Sequence, residues 1–363
     1  MKEYFKIYLV ILFSFLSLIC FSQMQHDSIG DIDSFVTKRI SAAYNQSKVP
    51  GIYIGILQNT ERKYFSAGLA NTENKTPFNS SMLFEAGSIT KTFTAYILLE
   101  VLKEHHIDET TSIIDFLPDS VRANKNLQTV TFYNLLNHTS GLPRLPDNLS
   151  ATIKDQLQPY ENYTIENLFS YLKTCTPKPD GKSNYSNLGF GLVGALAEII
   201  SKKSYDDLLY EKIFLPFKMT SENKKSKTAE DKIQGYFDTV AVAYWKWNIL
   251  GGCGKLICSA SQMLSYLQYM CCTSNKKSAL LIDSLTSPTI NINGRVKVCR
   301  AWNTIEEKDK PVIYWHNGGT YGFSTFAAFL KNKGVAVIVI VNAYNKNTIS
   351  DMLGVQIMNK LSR

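Results

Sequence analysis

The chain has 363 residues, of which 45% are hydrophobic and 19% charged, and its formal net charge is +8. Length and apolar content suit one large domain or two ordinary ones with a real core, and exclude a disordered or collagen-like chain. The basic balance is compatible with nucleic acid, an anionic surface or neither, and seven cysteines are too few for a disulfide scaffold at this length.

The N-terminus opens with two lysines and a glutamate, and residues 7–21 then run almost without polar interruption. That length suits the apolar stretch of a signal peptide and falls short of a spanning helix. Residues 1–22 are read as a signal peptide cleaved before Gln23, after the small-x-small run Cys20-Phe21-Ser22. Lipidation of Cys20 is the rival reading, weakened by Ile19 in front of it, and an uncleaved anchor is the third. Export makes the product periplasmic or secreted, with no transmembrane segment in the mature chain. It also places Cys175, Cys253, Cys258, Cys271, Cys272 and Cys299 in an oxidising compartment, where nothing in their spacing demands pairing. Buried small hydrophobes are the expected state of these thiols. With no C-x-x-C and no useful histidine cluster, no metal is expected.

Along the mature chain, apolar residues at helical spacing over 32–44 predict a helix that Pro50-Gly51 stops. Residues 51–58 and 62–70 read as a hairpin turning at Asn59-Thr60-Glu61. After a polar stretch, Phe84-Glu85-Ala86-Gly87 leads into a helix with Ile89, Phe93, Ile97 and Val101 along one face. The chain then looks mostly helical, with long connections, to about Leu267. Strands return at 312–315, 323–330 and 335–341, the last apolar on both faces as a central strand would be, and 348–361 closes as a helix. Strands at both ends and helices between predict an α+β fold: an antiparallel sheet flanked by helices and built from both termini, with an inserted all-α domain. The expected division of 23–363 is a sheet subdomain at about 30–105 and 250–363 and a helical one at about 106–249.

Three clusters carry chemistry. Ser88 and Lys91 sit three apart at a helix start, so they share one face. A serine hydroxyl needs a base to become a nucleophile, a lysine can be that base, and the helix N-terminus favours developing negative charge. By itself this is a common spacing, and serine is a common helix cap. Tyr185 and Asn187, two apart before an apolar helix, bring a phenol that can relay protons and a carboxamide that can hold a substrate carbonyl or orient a lysine; a plain turn fits them too. His316-Asn317-Gly318-Gly319 follows a strand. There the glycines would let a substrate approach the backbone, or would simply make a hairpin beside a solvated histidine.

Together, Ser88-x-x-Lys91, Tyr185-x-Asn187 and His316-x-Gly318 resemble the three motifs of the serine β-lactamase and penicillin-binding-protein superfamily. Order and spacing are most similar to its class C β-lactamase and D-alanyl-D-alanine carboxypeptidase branch, which includes esterases. Leu135-Leu136-Asn137-His138-Thr139-Ser140-Gly141-Leu142-Pro143, the glycine-rich run from Gly252 to Ser259, and Gly322-Phe323-Ser324 resemble further segments of that branch, and the likeness spans roughly 30–360. The resemblance implies acyl transfer through a Ser88 acyl-enzyme. Lys91 would take or share the serine proton, and Tyr185 would serve the leaving group and then water. Asn187 would bind the acyl amide and steady Lys91, and His316 would support the Tyr185 network and a substrate carboxylate. Backbone N–H groups of Ser88 and Gly319 would form the oxyanion hole, with Gly318 beside it.

No cofactor is implied. The expected partner is a small-molecule or peptide substrate, cell-wall peptide included, and neither nucleic acid nor a second copy is expected, a monomer being the default. Two departures bear on substrate: His316 replaces the lysine typical of class C β-lactamases, and Leu145 stands where they carry an amide-binding glutamine. A carboxypeptidase- or esterase-like hydrolase is therefore preferred over a β-lactamase, with a non-catalytic binding member of the fold as the other alternative. Aromatic residues between Tyr236 and Asn248 are expected either to wall the cleft or to pack a domain interface.

Overall fold

The structure, a computed structural model, describes residues 32–219 and 231–363. The expected signal peptide, its cleavage site and Cys20 lie outside the described residues.

The chain opens with helix α1 (Ile32–Ser47), then β1 (Gly51–Gln58) and β2 (Glu61–Gly68). These strands form the predicted hairpin, with a two-residue turn in which Asn59 takes a left-handed conformation at φ 58. A short β3 (Leu83–Glu85) runs through a 3₁₀ turn at Gly87–Ile89 into α2 (Thr90–Glu104). The middle of the chain holds α3 (Asp119–Arg122), α4 (Phe132–Leu136), α5 (Ile165–Leu172), α6 (Asn187–Ser201) and α7 (Tyr205–Leu209). A small hairpin, β4 (Gly235–Phe237) and β5 (Val240–Val242), precedes β6 (Ile257–Ser259), α8 (Ala260–Cys272) and α9 (Lys276–Thr286). The C-terminal part supplies β7 (Ile290–Asn291), β8 (Val296–Val298), β9 (Asn303–Ile305), β10 (Ile313–Gly319), β11 (Ser324–Leu330), β12 (Val335–Val341) and α10 (Asn347–Leu361).

Eight strands form one antiparallel sheet in the order β2-β1-β12-β11-β10-β9-β8-β7. The fold is α+β, and its sheet takes strands from both ends of the chain. The alternation of β12 separates its two faces. Val335, Val337, Val339 and Val341 join Ile52, Ile54 and Ile56 under α1 and α10, where Val36, Ile40, Leu353 and Ile357 are buried. Ala336, Ile338 and Ile340 join the other core with Phe93, Leu264 and Leu267 from α2 and α8. A Cβ on Gly55 would lie 3.0 Å from Ile338 and 3.2 Å from Leu264, so glycine there admits α8 onto the sheet.

The sequence pattern missed β3–β9, which are two or three residues long and too short to show a period. Strand β10 is longer than predicted and carries Gly318 and Gly319 inside the sheet, where a hairpin was the alternative. Among the described residues no disulfide forms: Cys272 is exposed and the other five thiols are buried, as small hydrophobes would be. Among them, too, no helix is long and apolar enough to cross a membrane, and no group of three or more metal-ligating side chains assembles.

Candidate active site

Ser88 owes its place to the junction of β3 and α2. The Ala86 amide donates to Leu256 O at 2.9 Å, pinning the end of β3. Gly87 then turns with φ +55, and Thr90 Oγ1 donates to Gly87 O at 2.6 Å, closing the turn. The serine sits half-buried in that turn, at the amide-rich start of α2.

One helical turn on, Lys91 is fully buried. Its Nζ donates to Ser88 Oγ at 3.1 Å, Asn187 Oδ1 at 2.8 Å and Cys253 O at 2.8 Å. Three acceptors match the three protons of an ammonium. Its Nζ also lies 4.7 Å from the centre of the Tyr185 ring and 5.9 Å from that of Phe190. Among the described residues no carboxylate forms an ion pair with Lys91.

Asn187 begins α6, with Ser186 as its cap: Ser186 Oγ accepts from Gly189 N at 2.8 Å and donates to Pro143 O at 2.6 Å. The amides of Asn187 and Leu188, otherwise unpaired at a helix start, both donate to Arg144 O. Ser186 N donates to His138 Nδ1 at 3.1 Å, and the His138 ring packs 4.6 Å from that of Tyr185. Burial, reinforced by the charges of Lys91 and Arg144 and by the neighbouring His316 ring, pushes the His138 pKa well below its ordinary value. A neutral His138 keeps Nδ1 free to accept, so residues 138–144 hold the Tyr185-Ser186-Asn187 segment in place.

Strand β10 meets this assembly edge-on. A Cβ on Gly318 would fall 2.1 Å from Ala86 O, 2.6 Å from Thr325 Oγ1 and 3.0 Å from Ser88 N. A Cβ on Gly87 would fall 2.6 Å from Gly319 N. The two backbones touch because neither position carries a side chain. His316, on the same strand, is buried; its ring lies 6.3 Å from that of Tyr185, and Nδ1 contacts Asn317 O at 2.6 Å. A carbonyl partner requires Nδ1 to carry hydrogen and leaves Nε2 as the acceptor. Burial above all, then the Lys91 charge, pushes the His316 pKa down to about 3, so the ring is neutral at neutral pH.

Glu85, three residues before the serine, is buried beneath this junction. Its carboxylate accepts from Trp245 N at 2.7 Å and Thr320 Oγ1 at 2.9 Å, and burial raises its pKa to about 7. It thus links β3, the residue after Gly319 and the aromatic segment 236–248. From that segment Trp245 packs 4.9 Å from Tyr321 and 5.3 Å from Tyr160, and Trp247 stacks on Tyr160 at 4.4 Å. The tryptophans are half-buried, so they pack against neighbouring loops while keeping an open edge.

A nucleophile bonded to an amine, a phenol ring against that amine and a second backbone packed against the nucleophile turn are equipment for acyl transfer. The profile of the Beta-lactamase family matches residues 36–357. The chain belongs to the Beta-lactamase family. It is similar to the Beta-lactamase of Escherichia coli (strain K12), with 27% identity over 203 residues, or 55% of this chain and 50% of that one. It is also similar to Penicillin-binding protein 4 of Amycolatopsis lactamdurans, with 22% identity over 191 residues, 49% of this chain and 46% of that one. The chain spans about half the length of these curated relatives. A crystal structure of a Beta-Lactamase/D-Alanine Carboxypeptidase from Pseudomonas syringae shares the fold, with a TM-score of 0.76 at 18% identity, covering 90% of this chain and 98% of that one.

For this Beta-lactamase family chain, all seven residues singled out from sequence converge. Ser88, Lys91 and Asn187 are joined by hydrogen bonds, Tyr185 and His316 by ring packing, and Gly318 and Gly319 by backbone approach. Sequence reasoning gave no role to Glu85, His138, Arg144 or the Cys253 carbonyl. His138 lay inside a quoted motif and Glu85 beside the nucleophile. Cys253 lay inside the glycine-rich run, but nothing local marked Arg144 or the use of the Cys253 carbonyl, since their relation to the site exists only across the fold.

Proposed function

We propose that this protein is an exported serine hydrolase that works through a Ser88 acyl-enzyme on D-amino-acid peptides, peptidoglycan fragments or small esters and amides. The hydrogen bond from Lys91 Nζ to Ser88 Oγ, made beside the Tyr185 ring, is the observation that carries this reading. In its amine form Lys91 takes the Ser88 proton as Oγ bonds to the substrate carbonyl carbon. The carbonyl oxygen draws on the amides of Ser88 and Gly319 as it gains negative charge. The proton passes by way of Tyr185 to the leaving group as the scissile bond breaks. Water then adds to the acyl carbon, giving its proton back along the same route, and Ser88 leaves with a hydrogen. Asn187 binds the acyl amide and orients Lys91. His316 contributes a neutral Nε2 acceptor rather than a charge. That neutrality, with Leu145 at the amide-binding position, favours carboxypeptidase- or esterase-like chemistry over a β-lactamase. The subdomain division near residues 105 and 250, with Ser88 at the junction, belongs to the same proposal.

The test is labelling of the purified protein by a fluorescent penicillin and a fluorophosphonate, with Ser88→Ala as control. Labelling of the wild type alone is expected, with slow release of the penicillin; fast turnover would point to a β-lactamase. Failure of both probes would leave the non-catalytic reading standing.

A further inference from the structure

The site lacks a usable cation where the family resemblance leads one to look for it. His316, in place of a lysine, is buried and neutral, with Nδ1 committed to Asn317 O. Lys91 is fully buried, and its Nζ is committed to Ser88 Oγ, Asn187 Oδ1 and Cys253 O. Neither side chain has charge to spare for a substrate carboxylate.

Arg144 does. Its guanidinium lies 5.2 Å from the centre of the Tyr185 ring, the same ring that Lys91 approaches. The side chain is exposed, and no carboxylate among the described residues pairs with it. An exposed arginine is ordinarily a solvated charge on a mobile stem. This one stands on a fixed base: its carbonyl accepts from Asn187 N at 2.9 Å and Leu188 N at 3.1 Å, and the preceding Pro143 O accepts from Ser186 Oγ. The ring contact orients the planar group, and an arginine held so keeps its donor fork for bidentate recognition of a carboxylate. Its backbone is bonded to Asn187, the residue proposed to hold the acyl amide, which places the charge on the acyl side.

We propose that Arg144 is a specificity-determining residue that receives a carboxylate on the acyl portion of the substrate, through its guanidinium beside the Tyr185 ring. The preferred substrates are then esters or amides whose acyl group ends in a carboxylate. This inference rests on the serine hydrolase reading.

The experiment compares kcat/KM for mono-p-nitrophenyl adipate and for p-nitrophenyl hexanoate, which lacks the charge, in wild type, Arg144→Gln and Arg144→Lys. The wild type should favour the adipate, less so at high salt. Arg144→Gln should cut the adipate-to-hexanoate preference about tenfold or more, mainly through KM, as loss of a charge-assisted hydrogen bond does. Arg144→Lys should restore part of it. Equal losses on both esters would assign Arg144 to supporting Tyr185 alone, and an unchanged preference would remove it from recognition; either result overturns the proposal. If the wild type turns over neither ester and Ser88 takes no label, the hydrolase reading fails instead. Calorimetric titration of the Ser88→Ala protein with adipamic acid, with and without Arg144→Gln, then decides: binding weakened about tenfold by the second substitution supports the carboxylate role, and absent or equal binding refutes it.

Discussion

Gly318→Ala tests whether the meeting of β10 with the nucleophile turn sets the reaction geometry. The added methyl would fall 2.1 Å from Ala86 O, 2.6 Å from Thr325 Oγ1 and 3.0 Å from Ser88 N. Two of those atoms are backbone, and the third is fixed because Thr325 Oγ1 donates to Ala86 O at 3.0 Å. Carbon contacts settle near about 3.5 Å, so β10 must retreat from the turn by roughly 1 Å, carrying the Gly319 amide with it. A displacement of that size costs about 10²-fold in rate, and outright loss of one oxyanion donor about 10²–10³-fold, or roughly 3–4 kcal/mol. The strain itself costs about 1–3 kcal/mol of stability, which a domain stable by about 5–15 kcal/mol survives. Gly319→Ala is the contrast, since its methyl would meet nothing closer than Asn347 Oδ1 at 3.2 Å. Single-turnover acylation by the fluorophosphonate, read beside urea unfolding, should show a folded Gly318→Ala protein slowed about 100-fold and a smaller loss for Gly319→Ala. A folded Gly318→Ala protein that acylates at the wild-type rate, or a larger loss at Gly319, would refute the reasoning.

Tyr185→Phe keeps the ring against Lys91 and removes only the phenol oxygen, so acylation should slow about 10²-fold or more with an unchanged melting temperature; a wild-type rate would take Tyr185 out of proton transfer. Glu85 binds its proton more tightly folded than unfolded, with a pKa raised from 4.5 to about 7, so its contribution to stability is full below pH 4.5 and fades as pH rises to about 7, by up to roughly 3 kcal/mol. Glu85→Gln should remove that slope, and since His138 and His316 act in the opposite sense, the measurement is the difference between variant and wild-type unfolding at each pH; parallel curves would show Glu85 to be unperturbed. Arg300→Ala breaks the pair with Glu109, whose geometry includes Arg300 Nε to Oε2 at 2.7 Å, and removes a donor to Ser284 O. With Arg300 10% and Glu109 23% exposed, the cost by urea unfolding should be about 2–3 kcal/mol, and a loss under about 0.5 kcal/mol would mark the pair as ordinary surface charge.

Whatever depends on neighbours along the chain was legible in the residues alone. Alternating apolar residues made β12 a central strand, Asn59 made a hairpin turn, and the three-residue step from Ser88 to Lys91 put both on one face. These follow from backbone periodicity and turn chemistry, which act over a few residues. Contacts between residues far apart in the chain took shape only on folding. Lys91 finds Asn187 and the Cys253 carbonyl 96 and 162 residues away. Gly318 is needed because the backbone it presses on belongs to Ala86 and Ser88, at the far end of the sheet's sequence. The three-residue strands β3 and β6 exist because each supplies the other's hydrogen bonds. The charge states, too, came from burial: His316 reads as a possible cation in sequence, and the fold makes it neutral by removing its water and setting Lys91 nearby. The same packing leaves Arg144 exposed, anchored and, among the described residues, without a carboxylate partner, a property that belongs to its surroundings and that no local pattern of residues carries.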